Sequence, residues 1–223
     1  LEKIFFKKSI KLNNIYFSYD KSDKWILKNI NLEIKKGSTV AITGPTGCGK
    51  STLGNIIIGL LDPTKGQLLV DDIIINSQNK TAWQKNISII PQSIFLNDVS
   101  IAENIAIGVD PKKINLEKVK NVARQARVAD FIESIPSQYE EKVGERGIRL
   151  SGGQRQRIGI ARALYREAKI ILFDEATNQL DTDTESSVMQ SINNLNKEIT
   201  IIFIAHRLST LKNCDQIIDL AKL

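Results

Sequence analysis

The chain has 223 residues, 42% hydrophobic and 25% charged, with a formal net charge of +6. That composition suits one globular domain with room for an inserted subdomain, and it excludes collagen-like and disordered classes. No apolar run approaches the ~20 residues needed to span a bilayer; the longest, 56–61 and 199–205, are the size of a core strand or helix.

Two cysteines, Cys48 and Cys214, make no disulfide framework and fit a reducing compartment. The charge is uneven: residues 1–36 hold nine lysines against four acids, five of the six net positive charges. A solvated lysine-rich surface accounts for this better than a nucleic-acid arm, because the lysines are interleaved with strand residues. The chain starts at Leu1 with no signal peptide pattern, which reads as an excised piece of something longer.

In chain order, Ile15, Phe17 and Tyr19 nearly meet an alternating pattern, as do Ile30, Leu32 and Ile34. Both stretches predict half-buried strands, with "YDKSDK" as the turn between them. "STVAITG" is a short apolar strand running into "GPTGCGKST". The apolar helix "LGNIIIGLL" follows, stopped at Asp62-Pro63. "GQLLVDDIII" predicts two short strands, and "NISIIPQ" another, cut by Pro91. From about Ser100 to Leu150 the pattern is helical, with Val119, Val122, Ala123, Ala126, Ala129 and Ile132 at helix spacing up to Pro136.

"GIRLSGGQRQRIGIARAL" then opens a helix in which Ile158, Ala161 and Tyr165 share a face, while Arg155, Gln156 and Arg162 fall among polar positions. "AKIILFDE" and "EITIIFIAH" follow as continuously apolar strands. Such strands separated by helices imply a parallel sheet buried on both faces. The fold class expected is α/β: a P-loop core, an antiparallel β patch in front and a helical insertion.

Gly44, Pro45, Thr46, Gly47, Cys48, Gly49, Lys50 and Ser51 fill the eight-position phosphate loop between a strand and a helix. Its glycines bring backbone N–H groups to phosphate oxygens, Lys50 supplies a point charge, and the Ser51 hydroxyl can ligate Mg²⁺. "IILFDE" ends a buried strand on Asp174 and Glu175, adjacent carboxylates that repel one another without a cation nearby. Strand carboxyl ends face the ligand crevice in such sheets, so Asp174 can hold a metal shell and Glu175 can polarise a water. That second acid separates a hydrolase, which must orient water, from a kinase. His206, the only histidine, ends "TIIFIA" where it can reach a γ-phosphate, and Gln92 ends "ISIIP" with a neutral oxygen for a metal. Ser151, Gly152 and Gly153 begin a second helix N-terminus suited to phosphate, about a hundred residues after the first.

The phosphate loop, "LSGGQ", "IILFDE" and a histidine after the last apolar strand, in that order, resemble the nucleotide-binding domain of ABC transporters over essentially the whole chain. The resemblance implies ATP and Mg²⁺ as cofactors, with Ser51, Gln92 and Asp174 as metal ligands. Glu175, His206 and Lys50 would be the catalytic group. Tyr19 would stack on adenine, and the loop through Thr52 would hold the phosphates. Leu150, Ser151, Gly152, Gly153 and Gln154 would be the signature, and Asp181 of "NQLD" would contact nucleotide. "NQLD" departs from the family's usual Ser-Ala-Leu-Asp but keeps the acid.

The resemblance divides the single domain, 1–223, into an antiparallel patch (about 1–38), an ATP-binding core (about 39–92 and 155–223) and a helical insertion (about 93–154). "EKVGERGIRLSGGQ" and "SIAENIAIG" resemble exporter-type members. They imply a half-transporter at the cytoplasmic face of a membrane, with transmembrane domains before Leu1 and a second copy as partner in an ATP-dependent homodimer. No nucleic-acid partner is expected. The alternative is a soluble ABC ATPase acting on nucleic acid or ribosomes. Chromosome-type members carry long heptads and translation-type members two such domains, and this chain has neither; a small-molecule kinase leaves "LSGGQ" unexplained.

Overall fold

The computed structural model describes residues 3–20, 24–174, 182–193, 195, 197–204 and 214–222. The first half runs β1 (Ser9–Phe17), β2 (Leu27–Lys35), β3 (Thr39–Thr43), α1 (Lys50–Ile57), β4 (Lys65–Val70), β5 (Ile73–Ile74), α2 (Lys80–Gln84) and β6 (Ile87–Pro91). The second runs α3 (Ile101–Ile105), α4 (Leu116–Gln125), α5 (Ala129–Ser134), α6 (Gly152–Tyr165), β7 (Ile170–Asp174), α7 (Thr182–Asn193), β8 (Thr200–Ile204) and β9 (Gln216–Asp219). Short 3-10 turns lie between some of them. The chain divides into two compact units, one of residues 1–87, 169–174 and 197–223 and the other of residues 88–168 and 175–196.

The first unit carries two sheets. One is antiparallel in the order β2-β1-β4-β5, so the stretch 65–74, grouped with the core by sequence, extends the antiparallel patch. The other places β7, β8, β3 and β9 side by side, all parallel. β8 is buried along its whole length and β7 at all but Asp174, as continuous apolar runs require. One core joins the sheets, with Ile10, Leu12, Ile34, Ile42, Ile56 and Trp83 among its members. Trp83 is fully buried and its indole N–H donates to the Ile57 carbonyl at 3.0 Å.

Strand β1 does not keep the single alternation read from Ile15, Phe17 and Tyr19. Ile10 and Leu12 are buried alongside Ile15 and Phe17, although the two pairs have opposite parity. The register shifts between Leu12 and Ile15, around the exposed Asn13 and Asn14, with Asn14 at φ 50°. This is a β-bulge: one extra residue resets which face the side chains occupy. Opposite it Gly66 has φ 88°, and a Cβ there would collide with the carbonyl oxygens of Asn13 and Asn14. Tyr19 lies beyond the end of the strand.

The basic N-terminal stretch is a solvated and partly paired surface. Lys11 pairs with Asp72 at 3.0 Å and Lys36 with Glu198.

The second unit is mainly helical. The long helix expected up to Pro136 is two helices, α4 and α5, broken where Arg127 takes φ 53°. The Val128 N–H bonds to the Ala123 carbonyl, and the Arg127 guanidinium donates to Gln190 Oε1 of α7 at 3.2 Å. Among the described residues, no helix is long and apolar enough to cross a membrane.

Candidate functional site

In the first unit, β3 delivers the chain to the phosphate loop and α1 receives it. Gly49 caps α1 at φ 98°, a left-handed geometry that disfavours a side chain. Space forbids one as well: a Cβ at Gly49 would stand 2.9 Å from Leu27 Cδ2 and 3.0 Å from Ile26 Cγ2. Pro45, Thr46 and Gly47 are exposed, and nothing lies within 4 Å of the Cβ position of Gly47. The loop therefore opens to solvent at its crown and is seated at its base. Gly54 lets α1 approach the parallel sheet, its Cβ position 2.9 Å from Ile204 Cδ1.

Lys50 is 5% exposed, and its ammonium donates to the carbonyls of Gly44 at 2.9 Å and Pro45 at 2.8 Å. The charge is held inside the loop's own curve. Ser51 is exposed in the first turn of α1, where helix N–H groups lack internal partners. Tyr19 is 59% exposed; its ring packs edge-to-face with Phe17, centroids 4.9 Å apart, and its hydroxyl lies 3.2 Å from Thr52 Oγ1. Tyr16, the rival aromatic, packs edge-on against Trp25 with the Lys65 ammonium over both rings.

Asp174 ends β7, half-buried, opposite Ile204 of β8, which in turn lies opposite Ile42 of β3. The carboxylate thus stands at the carboxyl end of the same parallel sheet that launches the phosphate loop, two strands away, roughly 10 Å by strand spacing. Glu175, Asp181 with the rest of "NQLD", and His206 lie outside the described residues.

In the second unit, Ser151 caps α6. Its Oγ accepts the Gln154 N–H at 3.2 Å, and Gln154 Oε1 accepts the Ser151 N–H at 2.8 Å. This capping box leaves Gly152 and Gly153 as the first two helical residues, whose N–H groups have no carbonyl four residues back. Gly153 is buried, and a Cβ there would collide with Thr184 Cγ2 of α7. Arg155 donates to the Leu150 carbonyl at 2.9 Å, tying the turn before the cap to the helix.

Helix α6 is buried more widely than its apolar stripe implies. Gln156 is 4% exposed and donates to the Gln92 carbonyl at 3.2 Å, which fixes the backbone at Gln92 while that residue stays exposed. Arg162 donates to the carbonyls of Asn104 and Phe95, and burial, with Arg166 nearby, holds its guanidinium below the usual range. Sequence reasoning placed both among polar positions; a single sequence carries no sign that a polar side chain will serve buried carbonyls. In "SIAENIAIG", Ser100 and Glu103 form a capping box on α3, and fully buried Asn104 binds the backbone of Asn97 and Ser100. Glu145 and Arg146 are exposed on a 3-10 turn, with Arg146 at φ 54°.

Comparison with known proteins fits this geometry. A family described as ABC transporter matches residues 27–178. The mouse (Mus musculus) "ATP-binding cassette sub-family B member 5" is 44% identical over 195 residues, 87% of this chain and 16% of that protein. The "ATP-dependent lipid A-core flippase" of Idiomarina loihiensis is 41% identical over 209 residues, 94% of this chain and 36% of that protein. A solved "bacterial Atm1-family ABC exporter with ATP bound" superposes with a TM-score of 0.84 at 38% identity, covering 98% of this chain and 38% of that one. The chain thus spans 16% to 38% of the length of these relatives. Its α/β architecture and phosphate loop are those of their nucleotide-binding region, and this chain belongs to the ABC transporter family.

Proposed function

We propose that this chain binds and hydrolyses Mg-ATP as one half of a head-to-tail homodimer, and that hydrolysis drives export or flipping of a cargo by transmembrane domains joined before Leu1. The domain would then sit at the cytoplasmic face of a membrane. The observation that carries the reading is the grouping of Lys50, Ser51 and Asp174 at one end of a single parallel sheet.

The donor set fits Mg²⁺. Ser51 and Asp174 offer hard oxygens. Mg²⁺ suits such a site, since it binds through one or two protein oxygens, waters and phosphate oxygens. Gln92's place in that shell rests on the family resemblance. When bound, the ion would neutralise charge on the β- and γ-phosphate oxygens.

The chain's own residues do the rest. Backbone N–H groups of residues 46–52 cradle the phosphates, and the Lys50 ammonium turns from the Gly44 and Pro45 carbonyls toward the γ-phosphate. Glu175 accepts a proton from the attacking water as oxygen bonds to the γ-phosphorus and the bond to the β-bridging oxygen breaks, giving ADP and phosphate. His206 contacts the γ-phosphate, and Tyr19 stacks on the base. Ser151, Gly152 and Gly153 of the second copy close the site with a helix N-terminus and exclude bulk solvent around the attacking water.

Phosphate release from Mg-ATP tests this. Glu175→Gln should keep Mg-ATP binding and lose nearly all turnover, because the amide is isosteric but cannot act as a base. Lys50→Ala should weaken binding itself. Turnover by Glu175→Gln within a few-fold of wild type would refute the assignment.

A further inference from the structure

The Tyr19 hydroxyl and Thr52 Oγ1 lie within hydrogen-bond distance, at 3.2 Å. The partners differ sharply in setting. Thr52 is 6% exposed, in the first turn of α1, whereas Tyr19 is 59% exposed on the loop after β1. An exposed loop side chain samples several rotamers unless it is held at more than one point. Here the ring packs edge-to-face with Phe17, planes 89° apart, and the hydroxyl reaches a buried helix residue. The ring is thus held at two points.

We infer that Thr52 is a positioning residue for base recognition: its hydroxyl fixes the Tyr19 ring in the stacking orientation before nucleotide arrives. The ring's ordering then accompanies folding and does not oppose binding. This rests on the reading of Tyr19 as the base-stacking residue. The first turn of α1 also suits phosphate, so the rival role for the Thr52 hydroxyl is direct phosphate contact. The two roles differ in which part of the nucleotide feels its loss.

Thr52→Val removes the hydroxyl at nearly the same shape, and Thr52→Ser retains it. Affinity is measured for Mg-ATP and for Mg-tripolyphosphate, which has no base to stack. Thr52→Val and Tyr19→Phe should each weaken Mg-ATP about 3- to 10-fold, the range of one neutral hydrogen bond, and Tyr19→Phe, which leaves the phosphate loop intact, should leave Mg-tripolyphosphate unchanged. Thr52→Ser should restore wild-type affinity for Mg-ATP. In a Tyr19→Phe background, Thr52→Val should have no further effect. Equal weakening toward both ligands, or an undiminished effect in Tyr19→Phe, would assign the hydroxyl to phosphate and overturn the inference. If Tyr19→Ala binds Mg-ATP as wild type does, the stacking reading itself fails and this inference falls with it.

Discussion

Gly153 lies against Thr184 with no room for a side chain between them: a Cβ there would collide with the threonine methyl. The glycine at the start of α6 is therefore fixed by helix packing within its own unit, whatever ligand its N–H meets. Gly153→Ala should destabilise the chain by about 1–3 kcal/mol, the usual cost of overpacking a tight contact. Thermal unfolding checks this, and an unchanged midpoint would contradict it.

The two candidate aromatics make a clean pair. Tyr16 packs on Trp25 beneath Lys65, while Tyr19 reaches Thr52 beside the phosphate loop. Tyr19→Ala should weaken ATP and GTP alike, by about 1–3 kcal/mol, because stacking uses the π-face and reads no base edge. Tyr16→Ala should leave both affinities unchanged. Isothermal titration with each nucleotide decides; an effect confined to Tyr16→Ala would reverse the assignment.

How much of this was legible in the sequence follows the physics of each signal. The phosphate loop, the apolar strands ending at Asp174 and Ile204, and the Ser151 cap are local patterns, and the structure carries each where the residues put it. The bulge at Asn13–Asn14 was hidden because parity on β1 depends on how partner strands pair, not on the strand's own residues. The break at Arg127 was hidden for another reason: no glycine or proline marks it, and its guanidinium is held by Gln190, distant in sequence. The buried roles of Gln156 and Arg162 are likewise set by carbonyls of other segments.

The cysteines should differ in reactivity. Burial, with Asp215 beside it, pushes the Cys214 thiol up to about 11. At pH 8 only about one in a thousand such thiols is ionised, and the thiolate is the reactive form. Cys48 sits half-buried within the phosphate loop. Iodoacetamide at pH 8 should therefore label Cys48 first, inactivate the ATPase, and be slowed by ATP. Mass spectrometry locates the label; early labelling of Cys214, or labelling of Cys48 with full activity, would contradict this.

The central claim is that two copies complete each other's sites, Ser151 of one closing over nucleotide held by Lys50 of the other. The most direct measurement is the mass of the Glu175→Gln chain in Mg-ATP, by gel filtration with light scattering. The account predicts a dimer with Mg-ATP and a monomer with Mg-ADP. Ser151→Arg should abolish the dimer while leaving ATP binding intact; Ser151→Ala controls for the lost helix cap, about 1 kcal/mol. Wild-type ATPase activity should correspondingly rise faster than linearly with chain concentration. A Glu175→Gln chain that stays monomeric in Mg-ATP, with wild-type activity strictly linear from nanomolar to tens of micromolar, would contradict the account.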